Sequence, residues 1–306
     1  MASSHSLRDL TGVIPPMITP FDDEDRIDEK KLIAEARYLI QCGVTGIVVG
    51  GSMGEGAGFS EAELAAAVRI IVEAVEGSVP VLAAIIADDS LEAVRLSLAA
   101  QEAGAVGFQV PPPHFQFSMD NRVLDHYYRS ITDATGLPLI IYNVVPWAQA
   151  AVEALQEIIG ANPQIIGVKQ SGRNIHTLVA LLSTMRGSIR IYSALDDMIF
   201  PSFMLGVDGT ISGTAAVFPK ETVEMYQAVN QGDLETARSL HERITPIWRL
   251  VDRADFPSRA KYAVQLTGRD IGQPRRPFRM PAGEAAREME RAIARSGFLA
   301  SQQISR

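Results

Sequence analysis

The residue that most clearly offers chemistry in this sequence is Lys169. The chain has five lysines, and only Lys169 directly follows an apolar, β-rich run, residues 165–168. Burial disfavours the ammonium form and lowers a lysine pKa from its reference value near ~10.4. The neutral amine is the nucleophile that attacks a carbonyl carbon. The position alone also fits a lysine that ends a strand and reaches solvent, or one that pairs with a carboxylate.

Tyr142 ends the preceding apolar run in the same way. Its phenol can carry protons while a carbinolamine forms and loses water. A tyrosine at this place also fits an aromatic side chain at the rim of a sheet. A lysine and a tyrosine at the ends of neighbouring strands together favour amine–carbonyl chemistry.

A glycine-rich turn, residues 50–56 with the sequence GGSMGEG, precedes a helical stretch. Backbone N–H groups exposed in such a loop can hold an anion, and Ser52 adds a hydroxyl donor. The turn lacks both the Gly-Lys-Ser/Thr of a phosphate-binding loop and the spacing of a dinucleotide fingerprint. It therefore predicts a carboxylate site rather than a phosphate site, although a tight strand-to-helix turn would need the same glycines.

Lys169, Tyr142 and the glycine-rich turn can act on one molecule only if the strands that precede them end at the same edge of one sheet. Eight apolar runs alternate with helical stretches, as in parallel strands buried on both faces. The pattern predicts a (β/α)8 TIM barrel, with an open doubly wound sheet as the alternative, and the active site at the carboxyl ends of the strands. The predicted strands are residues 13–18, 46–49, 81–86, 106–110, 139–142, 165–169, 189–192 and 209–212.

Capping residues mark where the helices begin and end. We predict helix starts at Asp28, at Ser60 with Glu63 as a capping box, at Ser90 and at Ser118. Further helical stretches fall at about 151–159, 175–186, 197–205 and 220–230, with glycine stops at Gly160, Gly187, Gly206 and Gly232.

The last stretch of chain differs from the repeating unit. Residues 1–232 are expected to form the barrel with the active site, and residues 233–306 a C-terminal helical segment. Helical patterns at 234–251 and 283–296 flank a proline-rich link, residues 273–281. This segment is interpreted as an appendage without a catalytic centre of its own.

Other candidate residues carry weaker signals. His114 follows three prolines after the fourth strand and fits a site residue or a solvent-facing loop residue equally well. Asp196 and Asp197 follow the seventh strand and are interpreted as caps of the next helix rather than catalytic groups. His and acidic residues do not share strand ends as metal ligands would, so we expect no metal and no cofactor.

Composition argues against several classes of protein, among them nucleic-acid-binding and membrane-spanning proteins. A net charge of −8 without a basic stripe argues against nucleic acid as a partner. The N-terminal residues lack an apolar signal segment, and the apolar runs are shorter than the roughly 20 residues of a membrane helix. Cys42 is the only cysteine, which excludes an intrachain disulfide. We therefore expect a soluble, cytoplasmic protein.

Together the motifs resemble the dihydrodipicolinate synthase and N-acetylneuraminate lyase family of class I aldolases. The resemblance covers nearly the whole chain and lies in residues 12–16, 19–21, 51–55, 142–144, 167–169 and 206–212. It implies that Lys169 forms the Schiff base and Tyr142 carries protons. It also implies that Gly51, Ser52 and the backbone of Met53 bind the 2-oxo acid carboxylate.

The resemblance implies further contacts and an assembly. Ile211 would line the pocket and Trp147 would face the second substrate. His114 stands where a dimer mate often lends an aromatic residue, so it is a candidate relay residue. The implied partners are a small 2-oxo acid and an aldehyde, and the implied assembly is a homotetramer, a dimer of dimers.

Departures from the family pattern leave the reaction open. Met53 replaces a second hydroxyl residue, and residues 146–149 read Pro-Trp-Ala-Gln, where the synthases carry an arginine. The leading hypothesis is a Schiff-base lyase acting on pyruvate or a related 2-oxo acid by aldol cleavage, condensation or dehydration. The alternatives are dihydrodipicolinate synthase itself, with Arg173 replacing the missing arginine, and a 2-oxo-acid-binding barrel without turnover.

Overall fold

Eight parallel strands form one continuous sheet in the computed structural model, which describes residues 7–114, 119–172 and 174–298. The strands in chain order are β1 Gly12–Val13, β2 Ile47–Val49, β3 Val81–Ala84, β4 Phe108–Val110, β5 Leu139–Asn143, β6 Ile165–Gln170, β7 Arg190–Ser193 and β8 Gly209–Thr210. Each predicted strand is confirmed, with shorter ends in most cases.

The sheet closes on itself. Strands β2 to β8 pair in sequence, and β1 pairs with β8. On its other side, the segment after β1 meets β2 through a parallel bridge between Pro16 and Val48. The Met17 N–H donates to the Val48 carbonyl at 2.8 Å. The chain is therefore a (β/α)8 barrel, and the open sheet is excluded because both edges are paired.

Helices follow the strands around the barrel. Within the described ranges they are α1 Glu29–Gln41, α2 Glu61–Val75, α3 Ser90–Glu102, α4 Asn121–Thr135, α5 Val152–Ala161, α6 Ile175–Met185, α7 Ile199–Met204, α8 Gly213–Val217, α9 Pro219–Gln231, α10 Leu234–Val251, α11 Phe256–Leu266 and α12 Gly283–Ser296. The short helix α8 and the helix α11 were not predicted. None of these helices is long and apolar enough to cross a membrane.

Most of the capping predictions are confirmed. Asp28 accepts from the Lys31 N–H, and Ser60 with Glu63 forms the capping box. Helix α3 begins at Ser90, as predicted, and the Asp89 side chain caps it by accepting from the Glu92 N–H. Helix α4 is capped by Asp120, and the predicted Ser118 lies outside the described residues.

One predicted helix stop is wrong. Helix α5 continues through Gly160 and ends at Ala161. A single glycine inside a helix destabilises it by only about 1 kcal/mol relative to alanine, which packing readily offsets.

Two apolar layers hold the barrel. The interior is filled by side chains from alternating strand positions, among them Ile14, Val48, Leu82, Ile140 and Ile166. A larger cluster lies between the sheet and the surrounding helices. This double burial explains why the strands are continuous apolar runs rather than alternating ones.

The C-terminal segment packs against the barrel. Helix α10 contacts α9, and α11 contacts α8 and the turn at Ser52–Gly54. A Cβ on Gly213 of α8 would lie 2.1 Å from the Trp248 ring of α10, so the two helices are in close contact. The division into residues 1–232 and 233–306 stays a prediction.

Candidate active site

Lys169 and Tyr142 lie side by side at the carboxyl ends of β6 and β5, where their Cα atoms are register partners. Parallel register directs both side chains to the same side of the sheet. The Lys169 Nζ lies 3.6 Å from the centroid of the Tyr142 ring. Both side chains are buried, with Lys169 3% exposed. The structure therefore brings together the two residues predicted from their strand ends.

Burial controls the protonation of both groups. It lowers the pKa of Lys169 to about 7, against the pull of the Asp196 carboxylate, which favours the ammonium. Burial raises the pKa of Tyr142 to about 12, while a hydrogen bond with Ser52 opposes that rise. Near pH 7 the cavity thus holds a partly neutral amine beside a phenol that keeps its proton.

The glycine turn folds as a short 3₁₀ turn, Ser52–Gly54, directly after β2. Ser52 and Met53 line a cavity of about 360 Å³ that also contains Lys169, Tyr142 and Ile211. A Cβ on Gly56 would lie 1.6 Å from the Gly50 carbonyl oxygen, so the turn doubles back on itself and requires glycine. The exposed start of the turn faces the amine across the cavity.

Other predicted site residues lie elsewhere. Gly51, Trp147 and His114 do not line this cavity. Trp147 is 61% exposed, and its indole N–H donates to the His114 carbonyl at 2.8 Å. The His114 backbone N–H donates to the Asp88 carboxylate at 2.7 Å, which joins the segment after β4 to the segment after β3. Their proposed substrate contacts stay predictions, and Arg173 lies outside the described residues.

Asp196 corrects the sequence interpretation. Its carboxylate caps neither the 3₁₀ turn Asp196–Met198 nor α7, which has no side-chain cap. It accepts instead from the Thr214 N–H at 2.7 Å, at the start of α8. Burial raises the pKa of Asp196 to about 7, opposed by this hydrogen bond and by Lys169. Its position after a strand end was the signal that could have assigned it to the site.

The C-terminal segment supplies a wall of the cavity that sequence reasoning missed. Trp248 and Asp252 from the end of α10 and Phe256 from the start of α11 line it. The two aromatic rings pack edge to face, with centroids 6.0 Å apart. Because these residues follow the last strand by some forty positions, no local pattern connects them to the strand ends.

Acidic side chains outnumber basic ones in the lining of the cavity. Among the residues that the structure describes, Lys169 is the only cationic side chain of the cavity, which also carries Asp196, Asp197 and Asp252. No group of three or more His, Cys, Asp or Glu side chains in the described ranges could hold a metal ion. The arrangement can present a neutral amine, a phenol, a hydroxyl and several carboxylates to one small molecule.

Comparisons with known proteins agree with this geometry. A model of the dihydrodipicolinate synthetase family matches residues 9–296. The 4-hydroxy-tetrahydrodipicolinate synthase of Methanopyrus kandleri is 31% identical over 293 residues, covering 95% of this chain and 97% of that protein.

Two solved structures show the same architecture. YagE, a prophage protein of the dihydrodipicolinic acid synthase family from E. coli, was crystallised in complex with pyruvate. It is similar with a TM-score of 0.88 at 26% identity, covering 94% of this chain and 99% of that one. N-acetylneuraminate lyase from Fusobacterium nucleatum shares the fold, with a TM-score of 0.84 at 23% identity and coverage of 95% and 100%.

Proposed function

The chain belongs to the dihydrodipicolinate synthetase family and is a lyase, and from that premise we propose that Lys169 forms a Schiff base with pyruvate or a related 2-oxo acid. The observation that carries the proposal is the buried amine of Lys169, in contact with the Tyr142 ring inside the cavity. The family resemblance of the sequence and the fold point to the same residue.

The chemistry follows from the protonation states. The neutral Lys169 amine attacks the ketone carbon, and as the new C–N bond forms the nitrogen loses one proton while the carbonyl oxygen takes one, which gives a neutral carbinolamine. That hydroxyl then leaves as water with a second proton, and a protonated Schiff base remains. Tyr142 is suited to deliver these protons, because its pKa of about 12 keeps it protonated and Ser52 is hydrogen-bonded to it.

The protonated Schiff base withdraws electrons from the neighbouring carbon. Electrons released there by breaking a carbon–carbon bond give aldol cleavage, and the reverse gives condensation. Loss of a proton followed by loss of a hydroxide from the next carbon gives dehydration. We propose that the Ser52–Gly54 turn binds the carboxylate, because the first N–H groups of a helical turn have no partner within it.

The lining favours a particular class of second substrate. Apart from Lys169 the described lining offers no cation to an aldehyde that carries its own carboxylate and contains three acidic side chains, Asp196, Asp197 and Asp252, while Trp248 and Phe256 offer apolar stacking faces. This supports a neutral, hydroxylated or aromatic partner over an anionic one. The second candidate is dihydrodipicolinate synthase itself, which the names of the relatives favour.

We also propose that the protein is cytoplasmic and forms a homotetramer, a dimer of dimers. Exposed Trp147 and half-buried His114 lie together outside the cavity, and this surface is available to a second copy. Sedimentation velocity measures the assembly directly, and a monomer at micromolar concentration would contradict it.

Turnover tests the proposed function. Pyruvate consumption in the presence of a panel of aldehydes, and pyruvate release from aldol adducts, should require Lys169. Lys169→Ala should abolish both, while Lys220→Ala, which removes an exposed lysine on α9, should behave as the wild type. Pyruvate binding by the wild type without turnover of any partner would support the binding protein instead.

A further inference from the structure

A buried ion pair outside the cavity joins the glycine turn to the C-terminal segment. Glu55 directly follows the Ser52–Gly54 turn, and Lys261 lies in the middle of α11. The Glu55 Oε1 and Lys261 Nζ atoms are 2.7 Å apart, with the lysine side chain 0% exposed. Neither side chain lines the cavity.

Both carboxylate oxygens of Glu55 are held by the C-terminal segment. Oε2 accepts from the Arg275 backbone N–H at 3.0 Å. The Lys261 Nζ also donates to the Gln273 carbonyl at 2.7 Å and lies 4.3 Å from the Phe21 ring centroid. Arg275 is ion-paired with Glu63 of α2, which fastens the proline-rich link to the barrel. Among the described residues the Arg275 Nε has no hydrogen-bond partner, and Glu55 Oε1 is held by the ion pair alone. The pair is thus the centre of a connected polar network rather than an isolated charge.

The backbone conformation of Glu55 connects the ion pair to the turn that precedes it. Glu55 has φ 58, a left-handed conformation that residues with a side chain rarely adopt. Its neighbour Met53, two residues earlier, is 4% exposed and lines the cavity. A contact that fixes Glu55 therefore also fixes the N–H groups at the start of the turn.

Helix α11 connects this contact to the opposite wall. Phe256, its first residue, lines the cavity, and Lys261 binds Glu55 five positions later. One rigid helix thereby sets both the aromatic wall and the turn that faces the amine.

We propose that the Glu55–Lys261 ion pair is a positioning device that holds the Ser52–Gly54 turn in the geometry that binds the 2-oxo acid carboxylate. This inference rests on the proposed function of that turn. It makes the C-terminal segment part of the active site rather than an appendage. Glu55 and Lys261 touch no substrate and act through Ser52 and Met53.

The test separates binding from chemistry. Glu55→Gln keeps the size of the side chain and removes its charge. We expect the pyruvate concentration that gives half-saturation of the Glu55→Gln variant to rise about tenfold or more, both in borohydride trapping and in turnover. Tenfold is the lower end of the affinity loss expected when a charge-assisted hydrogen bond is weakened. The value of kcat should change less than about threefold, because Lys169 and Tyr142 keep their places.

A matched control separates positioning from general destabilisation. Glu35→Gln breaks the other buried ion pair between the barrel and this segment, Glu35 with Arg269 at 2.6 Å. It should lower stability to urea while its half-saturation for pyruvate stays within about twofold of the wild type. The single variants Glu55→Gln and Lys261→Met and their double variant form a double-mutant cycle, which measures the interaction between the two side chains. Lys261→Met also tests the ion pair from its other side. The double variant should bind pyruvate no more weakly than the worse single variant.

Three results would overturn the inference. They are an unchanged half-saturation in folded Glu55→Gln, an equal rise in Glu35→Gln, and strictly additive effects in the cycle. Absence of pyruvate trapping in the wild type would overturn the proposed function and this inference with it. Trapping in the wild type with no effect of Glu55→Gln would overturn the positioning role alone.

Discussion

Replacing Asp196 by asparagine should lower the pH at which Lys169 becomes nucleophilic. Burial brings the pKa of Lys169 down to about 7, and the Asp196 carboxylate opposes this by stabilising the ammonium. Asparagine removes the charge but keeps a carbonyl oxygen that can accept from the Thr214 N–H. The substitution therefore changes the electrostatics of Lys169 while preserving the contact between the β7 end and α8.

The magnitude follows from the fraction of neutral amine. With a pKa of about 7, half of Lys169 is neutral at pH 7. With an unperturbed pKa near ~10.4, only about one Lys169 side chain in 2,500 would be neutral at pH 7. The difference corresponds to roughly 5 kcal/mol at about 1.36 kcal/mol per pH unit, the net of desolvation and the opposing attraction of Asp196. A fully ionised neighbouring carboxylate typically raises a lysine pKa by about one unit or more, and Asp196 is only partly ionised near its pKa of about 7, so we expect Asp196→Asn to lower the pKa of Lys169 by up to about one unit.

The assay is the pH dependence of kcat/KM for pyruvate, which reports the ionisation of the free enzyme. The neutral amine is the active form, so the profile should rise with pH through about 7 in the wild type. In Asp196→Asn the rise should occur at a lower pH, by up to about one unit. Asp133→Asn makes the same change on an exposed residue of α4 and should leave the midpoint in place.

Two outcomes would refute this reasoning. A wild-type midpoint near pH 10 would mean that burial does not lower the pKa of Lys169. A midpoint that stays in place or rises in Asp196→Asn would mean that Asp196 does not interact with the ammonium.

Three further predictions address the proton carrier, the second substrate and the fold. Tyr142→Phe should lower kcat by about 10²–10⁴-fold with an unchanged circular dichroism spectrum, and a loss below about threefold would reduce Tyr142 to a packing residue. In kcat/KM with pyruvate, neutral or aromatic aldehydes should exceed aspartate semialdehyde by about 10–150-fold, because the only cation among the described lining residues is Lys169, which the Schiff base occupies. Efficient use of the semialdehyde together with rescue of a lysine auxotroph would instead establish the synthase. Ser60→Ala should lower the free energy of unfolding in urea by about 1 kcal/mol through loss of its bond to the Glu63 N–H, with kcat/KM unchanged. An unchanged unfolding transition would contradict the role of that cap.

The sequence predicts the barrel and the reactive pair because both depend on local patterns. Apolar runs of four to six residues identify strands buried on both faces, and Lys169 and Tyr142 each stand at the end of such a run. Closure of the barrel then brings them into register without any further information. The capping box at Ser60 is predictable for the same reason, since its partner lies three residues away.

The remainder of the site depends on long-range packing. Trp248, Asp252 and Phe256 reach the cavity because α10 and α11 fold back over the strand ends, and helical periodicity does not specify that direction. Lys261 carried no sequence signal for burial, since its partner Glu55 is more than two hundred residues away. Asp196 was assigned as a cap because aspartate commonly caps helices, and the helix it meets, α8, was not predicted.

Covalent trapping tests the central claim most directly. Borohydride reduces a Schiff base to a stable amine, so incubation with pyruvate should add one reduced pyruvate per chain, and peptide mapping should place it on Lys169. Lys261 provides an internal comparison, because it is also buried, with a pKa lowered to about 8, but is paired with Glu55 outside the cavity. The account predicts modification of Lys169 alone and none in Lys169→Ala. Modification of Lys261 or of any other lysine, or undiminished turnover in Lys169→Ala, would contradict it.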